Sequence, residues 1–283
     1  MTPSADRASS VQTATRTVTA AGAEFVYRDL GAGDGVPLVA LTHLGANLDS
    51  WDPEVVDPLA QDRRVILIGY RGVGACTGTV RDSVEEMASD AIAVIQALGL
   101  SRVDLFGLSM GGMVAQAIIA QAPELVDRLI LAGSGPQGGP DLTEMTGITV
   151  RTILRGVATF TKPTTLLFFT CTPRGKQAAR AYQARLKRRR VGRDKPITPG
   201  VFRAQLRAVS RWGRQHPTER AGFAGSVLIV HGDSDRMVPP ANADALRERF
   251  PSAEVRIYPD SGHGVVSQNH GAVTDATRTF LHR

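Results

Sequence analysis

One serine of the chain lies between glycines in the pattern G-x-S-x-G, at Gly107-Leu108-Ser109-Met110-Gly111. The apolar run VDLFGLS leads into it, and the run GGMVAQAIIA, which reads as a helix, follows. A serine on such a sharp strand-to-helix turn has its hydroxyl lifted clear of the sheet, and glycines avoid the collisions that larger neighbours would make. A helix N-terminus also favours the negative charge that develops during acyl transfer. The pattern therefore predicts that Ser109 is a nucleophile.

A hydroxyl needs a base to take its proton, and a histidine oriented by a carboxylate serves this purpose. Candidates follow two later apolar runs: VLIV precedes the segment His231-Gly232-Asp233-Ser234-Asp235, and VRIYP precedes Asp260-Ser261-Gly262-His263. Sites on open parallel sheets gather at the carboxyl ends of strands. We therefore expect His263 as the base and either Asp235 or Asp233 as the acid. The remaining histidines are weaker candidates: His43, His216, His231, His270 and His282.

Short apolar runs that alternate with amphipathic segments must position these groups. The runs VPLVALTHLG, RRVILIGYRG, VDLFGLS and VDRLILAGSG are continuous, as expected for strands buried on both faces. The alternation of strand and helix predicts an α/β fold with a mostly parallel, doubly wound sheet.

The alternation stops between residues 136 and 222, where only helical patterns occur. We predict a disordered leader at 1–15, an α/β core at 16–135 and 223–283, and a helical lid at 136–222. The lid holds 18 of the 33 basic residues but only 4 of the 27 acidic ones. Its basic run Arg185-Leu186-Lys187-Arg188-Arg189-Arg190 has two interpretations: a solvated helix end, or cations that attract an anionic substrate.

On these residues the chain resembles the α/β-hydrolase superfamily over about residues 20–283, as a lid-containing serine hydrolase similar to the esterase, enol-lactonase and cofactor-free haloperoxidase branches. The resemblance implies a sheet of about eight strands. It implies that the acid is the second aspartate of the G-D-x-D-x-x-x-P loop, Asp235, and that the base is the histidine after a Ser-Gly pair, His263. The order serine, aspartate, histidine also agrees with this family.

Acyl transfer needs two N–H donors for the oxyanion, and the amide after the nucleophile, that of Met110, is one of them. The loop after an early strand supplies the other in this family, usually as His-Gly-x-Gly. The segment Thr42-His43-Leu44-Gly45 is similar instead to the Ser-Leu-Gly-Thr loop of enol-lactonases, which implies that the second donor is the Leu44 backbone. We expect His43 to be a structural hydrogen-bonding residue. The family's D-x-R-G-x-G-x-S turn has Gly69 in place of its aspartate, which predicts a looser loop.

The predicted function is that of a carboxylesterase or lactonase: a serine hydrolase that cleaves an ester or lactone of a small, largely apolar substrate through an acyl-enzyme. Candidate substrate-binding residues are Trp51, Met145, Phe168 and Trp212. A serine at 109 argues against the aspartate-nucleophile branches, haloalkane dehalogenases and epoxide hydrolases. Three alternatives stay open: a perhydrolase or haloperoxidase, a lyase, or a small-molecule receptor with little turnover.

Composition narrows the partners. Two cysteines, Cys76 and Cys171, make no disulfide framework and no metal motif, and the sequence carries no cofactor motif. We expect no cofactor and no metal. No apolar stretch reaches 18 residues, and the basic run lacks a nucleic-acid recognition motif. We therefore expect a small-molecule substrate, no membrane span, no nucleic acid, and by default a cytoplasmic protein; the sequence indicates no oligomeric state.

Overall fold

Eight strands pair into one sheet in a computed structural model that describes residues 9–216 and 222–283. The strands are β1 (Arg16–Ala20), β2 (Ala23–Leu30), β3 (Leu38–Leu41), β4 (Val65–Ile68), β5 (Val103–Leu108), β6 (Val126–Ala132), β7 (Ser226–Gly232) and β8 (Glu254–Tyr258). Their order across the sheet is β1-β2-β4-β3-β5-β6-β7-β8. β2 runs antiparallel to both β1 and β4, and every other pair is parallel. The predicted fold class is confirmed.

The helices of the described residues cover this sheet and extend beyond it. They are α1 (Pro53–Leu59), α2 (Val84–Ala97), α3 (Met110–Gln121), α4 (Met145–Ala158), α5 (Pro163–Phe168), α6 (Pro173–Leu186), α7 (Pro199–Arg214), α8 (Ala241–Arg249), α9 (Val265–Gln268) and α10 (His270–Leu281). α1 packs against α10, and α2 packs against α3. None of these helices is long and apolar enough to cross a membrane.

The carboxyl ends of the central strands define where a site can form. Strands β3 and β4 are buried along their whole length, because helices cover both faces of a parallel sheet. β5 lies between β3 and β6, in the middle of the sheet. The loops that follow β3, β5, β7 and β8 therefore start from one edge, and they contain the four segments that carry the predicted site residues.

Helices α4 to α7 fall within the predicted lid, between β6 and β7. Three of them correspond to helical patterns in the sequence; the short helix α5 was not predicted. The boundaries of the lid as a unit, 136–222, stay a prediction, and residues 217–221 lie outside the described residues.

Residues 9–15 of the predicted disordered leader make defined hydrogen bonds, and the bounds of a leader stay a prediction. The Arg189 guanidinium donates hydrogen bonds to the carbonyl oxygens of Ser10, Val11 and Thr13, at 2.9, 3.2 and 3.0 Å. The Ser10 N–H donates to Asp57 Oδ1 at 2.7 Å. A polar segment that cannot build a core is thus fixed through its backbone. Residues 1–8 of the predicted leader lie outside the described residues.

In the turn after β4, Gly69 packs closely against the side chain of Cys76. A Cβ at Gly69 would lie 2.6 Å from Cys76 Sγ, so no larger side chain fits there beside that thiol. Arg71 then makes a two-pronged ion pair with Asp90, at 2.8 and 2.6 Å. The expectation of a looser loop is therefore not met. Both cysteines are free, and burial raises the pKa of the Cys76 thiol to about 11.

Candidate active site

Ser109 occupies a strained turn between β5 and α3. Its backbone has φ 56° and ψ −117°, a conformation that costs free energy for any residue with a Cβ. Glycines allow the crossing: a Cβ at Gly107 would lie 2.4 Å from Gly112 Cα, and a Cβ at Gly111 would lie 2.1 Å from the Leu41 carbonyl oxygen. The close approach at Gly107 thus forms the turn, and the close approach at Gly111 brings the end of β3 beside it.

Ser109, His263 and Asp235 form one hydrogen-bonded chain. His263 Nε2 lies 2.8 Å from Ser109 Oγ, and His263 Nδ1 lies 2.7 Å from Asp235 Oδ2. An ionised carboxylate can only accept, so Nδ1 carries the proton and Nε2 is left to accept from the serine hydroxyl. All three side chains are buried. This arrangement can transfer a proton from Ser109 to His263.

The loop after β7 fixes the carboxylate of Asp235. Its second oxygen, Oδ1, accepts the N–H groups of Met237 and Val238 at 2.8 and 3.0 Å. Asp233, the alternative acid, instead accepts from Ser234 Oγ and from the Ser261 N–H, at 2.8 and 3.2 Å. It is exposed and ties the two loops together. The geometry therefore selects Asp235 as the partner of the imidazole.

His231 lies behind this chain of hydrogen bonds. Its Nε2–H donates to the Val238 carbonyl at 2.8 Å and lies 3.7 Å from Asp235 Oδ2. Burial lowers its pKa, so the ring stays neutral and supports the acid loop. His282, near the C-terminal end of the sequence, lies at the surface instead, where its Nε2 is 3.1 Å from Asp62 Oδ2.

The loop after β3 brings the predicted second oxyanion donor to the turn. Among the described residues, no acceptor is recorded for the Leu44 N–H. Met110 is the first residue of α3, so its N–H has no acceptor within the helix. The next amide, that of Gly45, donates to Gln205 Oε1 on lid helix α7 at 2.7 Å. Helix α7 thus holds this loop in place. The assignment of the Leu44 and Met110 amides as oxyanion donors stays a prediction.

His43 lies in the same loop, directly before Leu44. Its Nδ1–H donates to the Leu44 carbonyl at 2.8 Å, because a carbonyl can only accept. The pKa of His43 is lowered to about 4, mainly by burial and also by the nearby His263, although the hydrogen bond to Leu44 acts in the opposite direction. His43 is therefore a neutral ring beside the candidate base.

One of the four candidate substrate-binding residues contacts the base directly. The Phe168 ring packs edge-on against both His43 and His263, with centroids 4.9 and 5.4 Å apart. Its carbonyl also accepts the Gly264 N–H at 2.7 Å, so this lid residue orients the loop that carries His263.

The other three candidates, Trp51, Trp212 and Met145, are buried among neighbouring residues. Trp51 packs against Phe106 with centroids 5.7 Å apart, and Trp212 Nε1–H donates to the Gly135 carbonyl at 3.2 Å. Met145 is buried at the start of α4. Their role in a substrate pocket stays a prediction.

Gln205 is a site neighbour that the sequence analysis missed. A signal for it exists: Val201, Gln205, Ala208 and Trp212 follow helical spacing on the buried face of α7, so a fully buried polar residue interrupts an apolar stripe. Such a residue requires a hydrogen-bond partner, and the Gly45 amide is that partner.

The comparisons with known proteins agree with this architecture. A family model described as the alpha/beta hydrolase fold matches residues 36–269. A pimeloyl-(acyl-carrier protein) methyl ester esterase from Nitrosomonas europaea is 28% identical over 234 residues, which cover 82% of this chain and 90% of that protein. A putative carbamate hydrolase, RutD, from Caulobacter sp. is 25% identical over 254 residues, 88% of this chain and 92% of the relative.

A solved structure gives the same result. An alpha/beta hydrolase fold protein from Chitinophaga pinensis superimposes with a TM-score of 0.92 at 29% identity, over 96% of this chain and 98% of the other. Because the family model spans most of the sequence, the chain belongs to the alpha/beta hydrolase fold family.

Proposed function

We propose that this protein is a serine hydrolase that cleaves a carboxylic ester or lactone of a small, largely apolar substrate through an acyl-enzyme. One observation carries the proposal: the unbroken chain of hydrogen bonds from Ser109 Oγ through His263 to Asp235, at 2.8 and 2.7 Å. Relatives that are hydrolases, one named for a methyl ester and one for a carbamate, support the general class.

Each residue has a defined task in this mechanism. Ser109 Oγ attacks the carbonyl carbon while His263 Nε2 takes its proton, and Asp235 stabilises the imidazolium that results. The Leu44 and Met110 amides donate to the oxyanion of the tetrahedral intermediate. His263 then returns the proton to the leaving alcohol. A water activated by the same histidine releases the acid from Ser109.

The surroundings of the site support an apolar substrate. Phe168 covers the imidazole of His263, and the triad residues are nearly inaccessible to water. Exclusion of water strengthens the hydrogen bonds to a developing oxyanion, because the local dielectric constant is low.

A fluorophosphonate probe tests the proposal directly. It should label the wild-type protein at Ser109, identified by peptide mass spectrometry, and should leave Ser109→Ala unlabelled. Ester and lactone hydrolysis should fall on the order of 10⁴-fold or more in that variant. A folded Ser109→Ala protein with near wild-type hydrolysis would refute the assignment of the nucleophile. A wild-type protein that stops after one turnover would indicate a receptor instead.

A further inference from the structure

Two nitrogen atoms in or against the loop that carries the Leu44 amide are among the buried polar atoms without a partner in the described residues. They are Nε2 of His43 and Nε2 of Gln205. The side chains are well protected from water: His43 is 7% exposed and Gln205 is fully buried. Buried polar atoms in folded proteins nearly always find a partner in the protein, in ordered water or in a ligand, so these two atoms are available to bind a polar group of a substrate at the Leu44 loop.

The hydrogen-bonding character of each group follows from its other contacts. His43 Nδ1–H donates to the Leu44 carbonyl at 2.8 Å, so in the neutral ring Nε2 is an acceptor. Gln205 Oε1 accepts the Gly45 N–H at 2.7 Å, which fixes the amide and leaves its NH₂ as a donor. One free acceptor and one free donor therefore flank the oxyanion loop.

Both groups belong to the neighbourhood of the reacting atoms. The Phe168 ring contacts the imidazoles of His43 and of His263, which places His43 one ring away from the candidate base. Gln205 is bonded to Gly45, the residue that follows Leu44. A substrate whose carbonyl oxygen is bound by Leu44 would present its adjacent carbons to this region.

We propose that His43 and Gln205 are specificity-determining residues that bind a hydroxyl group on the acyl part of the substrate, near the reacting carbonyl. This inference rests on the proposed function. A hydroxyl both donates and accepts, so it satisfies His43 Nε2 and the Gln205 NH₂ together. A carboxylate has no proton to give to His43. The substrate class is therefore an α- or β-hydroxyacyl ester, or the corresponding lactone with a free hydroxyl.

Two esters of the same chromogenic alcohol, β-hydroxybutyrate and butyrate, test the subsite. The wild-type kcat/KM should favour the hydroxylated ester by about tenfold or more, because the butyrate leaves buried polar groups unpaired. A ratio near one would overturn the proposal, and this measurement needs no variant.

Matched variants assign the preference to the two residues. His43→Asn retains a polar group at the place of Nδ1 and loses Nε2, whereas His43→Gln retains one near Nε2. Gln205→Glu retains the acceptor for Gly45 and removes the NH₂ donor. We expect the ratio to fall towards one in His43→Asn and Gln205→Glu and to survive in His43→Gln. Variants that slow both esters equally would show a structural role and overturn the proposal.

Binding to Ser109→Ala separates this inference from the proposed function. Calorimetry with the two intact esters should show tighter binding of the hydroxylated one by a similar factor, and His43→Asn in the same background should remove the difference. If the wild type neither hydrolyses these esters nor reacts with the fluorophosphonate probe while this difference persists, the hydrolase proposal fails and the subsite stands. Equal binding of both esters would refute the subsite.

Discussion

The Arg185 guanidinium on lid helix α6 donates two parallel hydrogen bonds to the Asp52 carboxylate at the start of α1, at 2.8 and 2.7 Å. Asp52 is 3% exposed, so this ion pair between α6 and the start of α1 lies in a nearly dry environment. Such two-pronged pairs are both stronger and more directional than single contacts.

Four other cations between residues 136 and 222 pair with acidic residues. Arg188 pairs with Glu54 at 2.7 Å, and Arg193 pairs with Asp49 at 3.3 Å. Arg207 and Arg211 on α7 both pair with Asp82. These five arginines therefore pair with acidic residues that lie outside the predicted lid. Steering of an anionic substrate, one interpretation of the basic run, gains no support from Arg185, Arg188 or Arg189, because these cations already have partners.

Arg185→Leu should destabilise the protein by on the order of 3 kcal/mol, since it leaves the Asp52 carboxylate buried without its counter-charge. Arg188→Leu is the matched control on the same run. Its pair with Glu54 is about half exposed on each side, so its loss should cost less than about 1 kcal/mol. Urea unfolding at neutral pH measures both. Equal effects would show that burial of the Asp52 pair does not matter.

Asp235→Asn should reduce kcat by on the order of 10⁴-fold with little change in the fold, because the amide favours the wrong tautomer of His263. Asp233→Asn should cost less than about tenfold, since Asp233 bonds to Ser234 and Ser261 rather than to the imidazole. Steady-state kinetics with one ester ranks the two variants. The reverse ranking would make Asp233 the acid.

Local patterns were sufficient to predict the elements around Ser109, because a buried strand, a glycine turn and a helix are each encoded within a few residues. The order of Asp235 and His263 along the chain could be read from the sequence in the same way. Strand β1 was missed: Arg16–Ala20 is short, polar and at the sheet edge, where packing does not impose an apolar pattern.

Contacts between segments that are far apart in the sequence could not be predicted from such local patterns. The bond between Gly45 and Gln205 joins residues 160 positions apart, and the bonds of Arg189 to residues 10–13 span even more of the chain. Arg189 stands in a run of identical cations, so nothing local distinguishes it from exposed Arg190. Only the folded structure shows that the Arg189 side chain is buried and that the Arg190 side chain is exposed to water.

Gly111→Ala should impair catalysis more than any ordinary glycine substitution. Its Cβ would lie 2.1 Å from the Leu41 carbonyl oxygen and 2.8 Å from that of Thr42, both backbone atoms, so the end of β3 and the Leu44 loop must shift away from Ser109. We expect at least a 100-fold slower reaction with a fluorophosphonate probe, comparable to the loss of an oxyanion donor.

The matched control for that variant is Gly271→Ala in α10, where an added Cβ meets no atom within 4 Å. It should label at the wild-type rate and be as stable or slightly more stable, because alanine favours a helix by up to about 1 kcal/mol. Normal labelling of Gly111→Ala would show that the loop and the turn are not rigidly coupled.

The last prediction concerns acid stability. Burial lowers the pKa of His43 to about 4, whereas in the unfolded chain this residue takes up a proton below about pH 6.5. The unfolded state therefore binds more protons between these values, so the free energy of unfolding falls as the pH drops through this window and is unaffected above it. At pH 4.5 the loss due to His43 is on the order of 2.5 kcal/mol. His43→Gln cannot titrate, so its loss of stability between pH 7.5 and pH 4.5 should be smaller by about that amount.

Urea unfolding of both proteins at the two pH values measures the difference. His231, which is also buried with a lowered pKa, is present in both proteins, so its contribution cancels. Identical losses in the two proteins would mean that the pKa of His43 is not lowered by folding, so that the folded protein would also take up a proton at this ring below about pH 6.5 and Nε2 would become a donor only in acid.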